Sequence, residues 1–157
     1  MKDIYKTFYC SPLGLLEIKA TDNAVIRIQF TNKPGISQQH ALLKKCLQQL
    51  AEYFEGKRLK FTIPLELRGT VFQLKVWEKI KTIPPGHTVS YQKIAEELNN
   101  NKASRAVGTA CHRNQIAILI PCHRVIGKDR KLTGYAAGLR KKAWLLEHEK
   151  VYTSQIS

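Results

Sequence analysis

The sequence predicts an α+β protein: a small antiparallel sheet covered by one helix, then a mainly helical region carrying a helix-turn-helix. Three observations lead there. Residues 4–10 and 15–30 are β-favouring and partly alternating, residues 37–54 repeat their apolar side chains at helical spacing, and two short helical runs flank Asn99-Asn100-Asn101.

In the first region Ile4, Phe8, Leu15, Ile18, Val25, Ile26, Ile28 and Phe30 supply the strand faces. Ser11-Pro12-Leu13-Gly14 makes the first turn and Thr21-Asp22-Asn23 the second, since these residue types favour turn backbone. From Ser37 to Phe54, Leu42, Leu43, Cys46, Leu47, Leu50 and Phe54 recur every three or four positions, and Gly56 is the stop signal. That helix covers the sheet. Phe61-Thr62-Ile63-Pro64-Leu65 is a short extended segment, and Arg68-Gly69-Thr70 marks a junction. The expected domains are residues 1–68 and 69–157.

Beyond the junction, Thr70 caps a helix carrying Val71, Phe72, Leu74, Val76, Trp77 and Ile80, closed by Ile83-Pro84-Pro85-Gly86. His87-Thr88-Val89 is extended. Ser90 opens the next helix, with Ile94, Ala95 and Leu98 inward; Lys93 at its third position leaves only half a capping box. The following helix, from about Lys102 to His112, is built of small residues, with Arg105 as its one long cationic projection near the N-terminus. Such a helix suits close packing on another helix as well as contact with nucleic acid, and both readings stand. Ile116-Ala117-Ile118-Leu119-Ile120 is a buried apolar run ending at Pro121. A basic loop spans Gly127 to Gly134, the small residues of 132–138 border a pocket, and a last helix runs from Lys141 to about Tyr152 with Trp144, Leu145 and His148 on one face and Glu149 beside it.

Charge narrows the partner. Lys and Arg number 26 against 12 Asp and Glu, a net +14, and residues 101–157 hold 11 basic and 3 acidic side chains against 15 and 9 in residues 1–100. The more basic C-terminal third points to a polyanion. Nucleic acid comes before a membrane, because there is no basic amphipathic helix with an aromatic apolar face. No apolar run approaches the roughly 18 residues of a membrane span, and Met1-Lys2-Asp3-Ile4-Tyr5-Lys6 lacks the apolar segment of a secretory signal. The expected location is cytoplasmic, or nuclear in a eukaryote.

Cys10, Cys46, Cys111 and Cys122 follow no disulfide-framework spacing and are expected as free thiols. Cys111-His112 and Cys122-His123 do not read as a zinc site, because adjacent side chains diverge while zinc-ligand pairs are separated by two or more residues. Pro121-Cys122-His123-Arg124 sets a thiol, an imidazole and a guanidinium in succession, a field that favours thiolate and marks Cys122 as the candidate nucleophile. An inert buried cysteine is the plainer alternative.

Ile120-Pro121-Cys122-His123-Arg124-Val125, preceded by Arg105-Ala106-Val107-Gly108 and Asn114 and followed by Gly134-Tyr135 and Leu145-Leu146-Glu147-His148-Glu149, resembles the O6-alkylguanine-DNA alkyltransferases, also called methylated-DNA–protein-cysteine methyltransferases. The resemblance covers essentially residues 70–150 in order, and more loosely Ser11-Pro12-Leu13-Gly14. It implies an N-terminal ribonuclease-H-like sheet and helix, and a C-terminal domain with the helix-turn-helix in a winged-helix-like setting. It also implies direct DNA repair: irreversible, single-turnover transfer of the alkyl group from O6-alkylguanine in double-stranded DNA to Cys122, by a monomer with no cofactor and no metal. O4-alkylthymine is left open as a second substrate.

By the same resemblance, the recognition helix enters the minor groove through Ala103, Ser104 and Arg105, and Arg105 fills the gap left by the extruded nucleotide. Tyr91 presses on the neighbouring phosphate and donates a hydrogen bond to the flipped base. His123 links Cys122 through a water to Glu149, and Asn114 braces the cysteine loop. Arg113 and Arg124 join the DNA contacts, while Val125, Tyr135 and Ala136 line the guanine pocket. Three departures stand out. Gln115 replaces a frequent proline, Ala136-Ala137 replaces frequent serine or glycine, and residues 1–30 lack the zinc ligands of some animal members.

Rate arithmetic redistributes the roles. A thiol with a pKa of about 8.5 is about 3% ionised at pH 7, and lowering it to about 5 raises the thiolate roughly 30-fold but costs roughly 25- to 60-fold in nucleophilicity. In-line positioning and stabilisation of the departing guanine anion must therefore supply most of the rate, which gives Tyr91 and the pocket's backbone amides their weight. The rival readings are a winged-helix protein that only binds alkylated or regulatory DNA, and a cysteine hydrolase.

Overall fold

The computed structural model describes residues 3–156, and the chain divides into two compact units, one reaching to Leu67 and including Gln115–Ala117, the other formed by Arg68–Asn114 and Ile118 onward. In the first unit β1 (Tyr5–Ser11), β2 (Gly14–Ala20) and β3 (Val25–Phe30) form an antiparallel meander in chain order. Alternation places Leu16, Ile18 and Ala20 of β2 fully inside. The first turn closes through Ser11 Oγ, which accepts from Leu13 N at 3.1 Å and donates to Gly14 O at 2.7 Å, while Gly14 takes φ +124°, open to glycine. The exposed edge of β3 is covered by two short pieces of chain. Pro64–Glu66 bonds to Val25, and Gln115–Ala117 bonds to Ile28.

Helix α1 (Ala41–Phe54) buries Leu43, Cys46, Leu50 and Tyr53. It starts later than the apolar repeat suggests, because His40 serves as its cap: Nδ1 accepts from Leu42 N at 3.2 Å and Nε2 bonds Asp22 Oδ1 at 3.1 Å. Gln49 ties the helix to the extended segment by exchanging hydrogen bonds with Thr62 at 2.6 and 2.9 Å.

In the second unit, Thr70 and Gln73 form a complete capping box at the start of α2 (Val71–Lys81). Ser90 caps α3 (Tyr91–Glu97) by accepting from Lys93 N, the half box expected. Asn99, at φ +59°, lies in the turn toward α4 (Ser104–His112), and Trp77 Nε1 donates to Ala110 O at 2.9 Å, fixing α4 to α2. Strands β4 (Val89–Ser90) and β5 (Val125–Ile126) pair in parallel, joining the start of the helix-turn-helix to the chain just after Cys122. Helix α5 (Leu139–Ile156) extends beyond the predicted span at both ends. Among the described residues, no helix is long and apolar enough to cross a membrane.

Candidate active site

The apolar run ends at Pro121, and Cys122–Arg124 form a single 3-10 turn held by Cys122 N on Ile120 O (2.8 Å) and Arg124 N on Pro121 O (2.9 Å). Three residues per turn aim successive side chains in different directions. Ile118, four residues before Cys122, is buried at φ +71°, a strained conformation for a β-branched residue. Asn114 braces the turn by donating from Nδ2 to Ile120 O at 2.8 Å and by a side-chain hydrogen bond to Cys122 itself.

Cys122 is 2% exposed. Burial pushes its thiol well above the ordinary range and contact with the Cys111 thiol adds to this, while Asn114 and the Lys142 charge pull the other way without prevailing. The expected field favouring thiolate is therefore outweighed by burial at rest. Its presumed sources are turned elsewhere: Arg124 reaches into the interior, and burial is the main cause that lowers the His123 pKa, leaving the imidazole neutral.

His123 Nε2 lies 2.7 Å from Glu149 Oε2, and both side chains are fully buried. A carboxylate only accepts, so the ring proton resides on Nε2 and the Nδ1 lone pair is free to act as a base. His123 Nδ1 is buried with no hydrogen-bond partner among the described residues. Because His123 and Glu149 bond directly, the water-mediated link expected between Cys122 and this pair falls to the Nδ1 side of the ring.

Glu149 also accepts from Arg124 Nε (2.8 Å, on Oε1) and from a terminal guanidinium nitrogen (2.9 Å, on Oε2), and Arg124 donates to Ile83 O at 2.8 Å. Burial raises the Glu149 carboxyl, but the hydrogen bond from His123 and the charge and hydrogen bonds of Arg124 outweigh it and hold the group well below the usual carboxylate range. This overturns Arg124 as a DNA contact: it is 6% exposed and its donors are taken up inside. Ala103, 7% exposed, likewise offers little surface to DNA.

Lys142 is a residue the sequence reading missed. It is fully buried, with Nζ donating to Val125 O (2.5 Å) and Thr133 O (2.7 Å) and lying 3.4 Å from the Tyr91 hydroxyl. Burial lowers its pKa to about 8, against the opposing influence of Cys111 and Cys122. The signal was available in the spacing: Lys142, Leu145 and Glu149 fall on one face of α5, and all three are buried.

Tyr91 donates to Thr133 O (2.9 Å) and Gly134 O (3.2 Å) and borders a cleft of about 1010 Å³. Arg105, Arg113, His112 and Lys128 bring basic side chains to that cleft, and Ser104 and Gly108 give it a shallow helical wall. Val125 is buried in β5, Ala136 is exposed, and none of Val125, Tyr135 and Ala136 borders this cleft. The Tyr135 hydroxyl is buried and without a partner among the described residues, and its ring meets that of His123 edge-on at 6.4 Å.

A helix-turn-helix beside a basic cleft, with a buried thiol next to an imidazole–carboxylate pair, defines a nucleic-acid-binding unit able to form a covalent bond through sulfur. Comparison with known proteins is more specific. The chain belongs to the 6-O-methylguanine DNA methyltransferase family, matching its ribonuclease-like domain over residues 4–67 and its DNA-binding domain over residues 71–151. A methylated-DNA–protein-cysteine methyltransferase of Mycolicibacterium paratuberculosis is 41% identical over 146 residues, 89% of this chain and 88% of that protein. The crystal structure of the Mycobacterium tuberculosis O6-methylguanine methyltransferase superposes with a TM-score of 0.87 at 34% identity, covering 99% and 100% of the two chains. A Mycobacterium tuberculosis OGT in complex with DNA gives 0.86 at 38% identity, covering 92% of each.

Proposed function

We propose that this chain repairs alkylated DNA directly, by moving the alkyl group from O6 of guanine onto Cys122 in one irreversible turnover. The observation that carries the reading is the buried His123 Nδ1, an unpartnered base on the residue next to the thiol, held in the right tautomer by Glu149.

The target oxygen is inaccessible inside a duplex, so the nucleotide must be flipped out, and exposed Arg105 on the cleft wall is placed to fill the gap. Cys122 then gives its proton to His123 Nδ1, directly or through a water. The thiolate attacks the alkyl carbon, the carbon–O6 bond breaks, and guanine leaves with the electron pair. His123 stays positive against Glu149. Tyr91, relinquishing Thr133 O and Gly134 O, donates its hydroxyl hydrogen to the departing base, and the Lys142 ammonium beside it stabilises the charge. The thioether has no hydrolytic route back, so no cofactor is called for. The substrate is O6-alkylguanine in double-stranded DNA, met by a monomer in the DNA-containing compartment.

The test is mass spectrometry after mixing the protein with a duplex bearing one O6-methylguanine. A methyl adduct on the tryptic peptide Asn114–Arg124 supports transfer. Retention of the duplex with no adduct supports the binding-only alternative, and multiple turnover supports a hydrolase.

A further inference from the structure

Cys111 has no part in the reaction above. It is nevertheless 4% exposed, on the last turn of α4, with its thiol in hydrogen-bond contact with that of Cys122. One residue sets the two side by side: the Asn114 backbone N–H donates to Cys111 O at 3.2 Å, while its side chain donates to Ile120 O at 2.8 Å, two positions before Cys122. Trp77, bonded to Ala110 O at 2.9 Å, fixes the same turn of α4. The remaining cysteines sit in the first unit, Cys10 exposed and Cys46 in the core with its thiol pushed up to about 12 by burial. The chain thus carries two thiols in contact, one of them the acceptor.

We propose that Cys111 and Cys122 form an oxidisable pair, which hydrogen peroxide converts to a disulfide that withdraws the acceptor and a thiol reductant restores. Cys122, deprotonated by the route that arms it for alkyl transfer, attacks one peroxide oxygen. The O–O bond breaks, Cys122 becomes a sulfenic acid, and the departing hydroxide takes up the thiol's proton as water. The Cys111 sulfur then attacks the sulfenic sulfur, the S–O bond breaks, and a second water leaves with the Cys111 proton. Two thiols are oxidised and one peroxide is reduced to two waters. The neighbour's value lies in what it prevents: a sulfenic acid without a nearby thiol goes on to sulfinic acid, which ordinary thiols do not reverse. The activity readout rests on Cys122 being the acceptor; the chemical readout does not.

The experiment exposes the full chain to about one equivalent of hydrogen peroxide, blocks free thiols, and digests with trypsin without reduction. Cleavage after Arg105, Arg113 and Arg124 leaves the two cysteines on separate peptides, 106–113 and 114–124. The expected result is a single linked species that dithiothreitol resolves, with alkyl transfer falling roughly tenfold or more and returning on reduction. Cys111→Ala should give no linked species and a loss that dithiothreitol does not reverse. Cys122 recovered as sulfinic acid with Cys111 still blockable overturns the proposal, as does a reversible loss that persists in Cys111→Ala. Should that variant fail to fold, the wild-type digest decides by itself, and it does so even if untreated protein transfers no alkyl group.

Discussion

Arg124 and Glu149 are joined by two hydrogen bonds, at 2.8 and 2.9 Å, in a fully buried part of the second unit. The basic residue two places after the nucleophile thus serves the interior. Together with His123 it holds the Glu149 carboxylate ionised against the opposing effect of burial, and that carboxylate orients His123. Removing one partner of such a pair leaves an uncompensated charge, so Arg124→Ala should cost about 3–5 kcal/mol, read as a lower urea midpoint. A variant of wild-type stability that binds DNA poorly would restore Arg124 to the DNA surface.

Acid should weaken the fold in two steps of the same sign. His123 has its folded pKa lowered by burial, so the unfolded chain takes up that proton first, and stability declines as pH falls below about 6.5. Glu149 is held below its unfolded value of about 4.3; its stabilisation is complete above that pH and lost as pH falls toward the folded value. Urea midpoints measured from pH 7 to pH 3.5 check this, with His123→Gln flattening the first decline and Glu149→Gln the second. Midpoints independent of pH in the wild type would contradict both assignments.

Lys142→Met removes a buried charge facing Cys122 and Tyr91 and leaves the Val125 and Thr133 carbonyls without that donor. Single-turnover transfer at pH 7 should slow by about 10- to 100-fold. The stability signature is separate. With a folded pKa of about 8 against about 10.4 unfolded, the unfolded chain holds the proton more tightly, so wild type should gain stability relative to the variant as pH rises across that interval. Parallel urea midpoints for the two proteins from pH 8 to pH 10 would remove Lys142 from the site.

Much of this arrangement was legible in the sequence, and the exceptions have physical causes. The meander, α1 and the helix-turn-helix follow from local periodicity and turn residues. Cys122, His123 and Asn114 lie in short contiguous stretches, and Glu149 was placed by the resemblance as well as by its helix. Arg124 was misassigned because adjacency in sequence says nothing about direction on a 3-10 turn, where one step points a side chain away from its neighbour. Lys142 was hidden by its residue type: on a helix with Arg140 and Lys141 just before it, a lysine reads as surface, although its spacing to Leu145 marked the buried face. The parallel pairing of Val89–Ser90 with Val125–Ile126 and the docking of Gln115–Ala117 on Ile28 join distant short segments with no periodic signal of their own.

Tyr91→Phe keeps the ring beside Gly108 but removes the hydroxyl that now bonds Thr133 and Gly134. If that hydroxyl protonates the leaving guanine, transfer from duplex DNA should slow by about 10- to 100-fold without stopping, since solvent and backbone amides supply weaker substitutes. Rapid-quench rates at saturating protein isolate this step, and an unchanged rate would assign Tyr91 to holding the loop alone.

Arg105 separates DNA handling from chemistry. It is exposed on the cleft wall near the N-terminus of α4, with no role in the Cys122–His123–Glu149 arrangement. If it replaces the flipped nucleotide in the stack, Arg105→Ala should lower the repair rate in duplex DNA much more than the reaction with free O6-benzylguanine, which pays no flipping cost. If it serves as a phosphate contact only, the variant should bind every duplex more weakly and reduce the salt slope by about one. Measuring both substrates, then duplex affinity across a salt series, distinguishes these cases. Equal losses on free base and duplex would exclude the flipping role and place Arg105 in the chemistry itself.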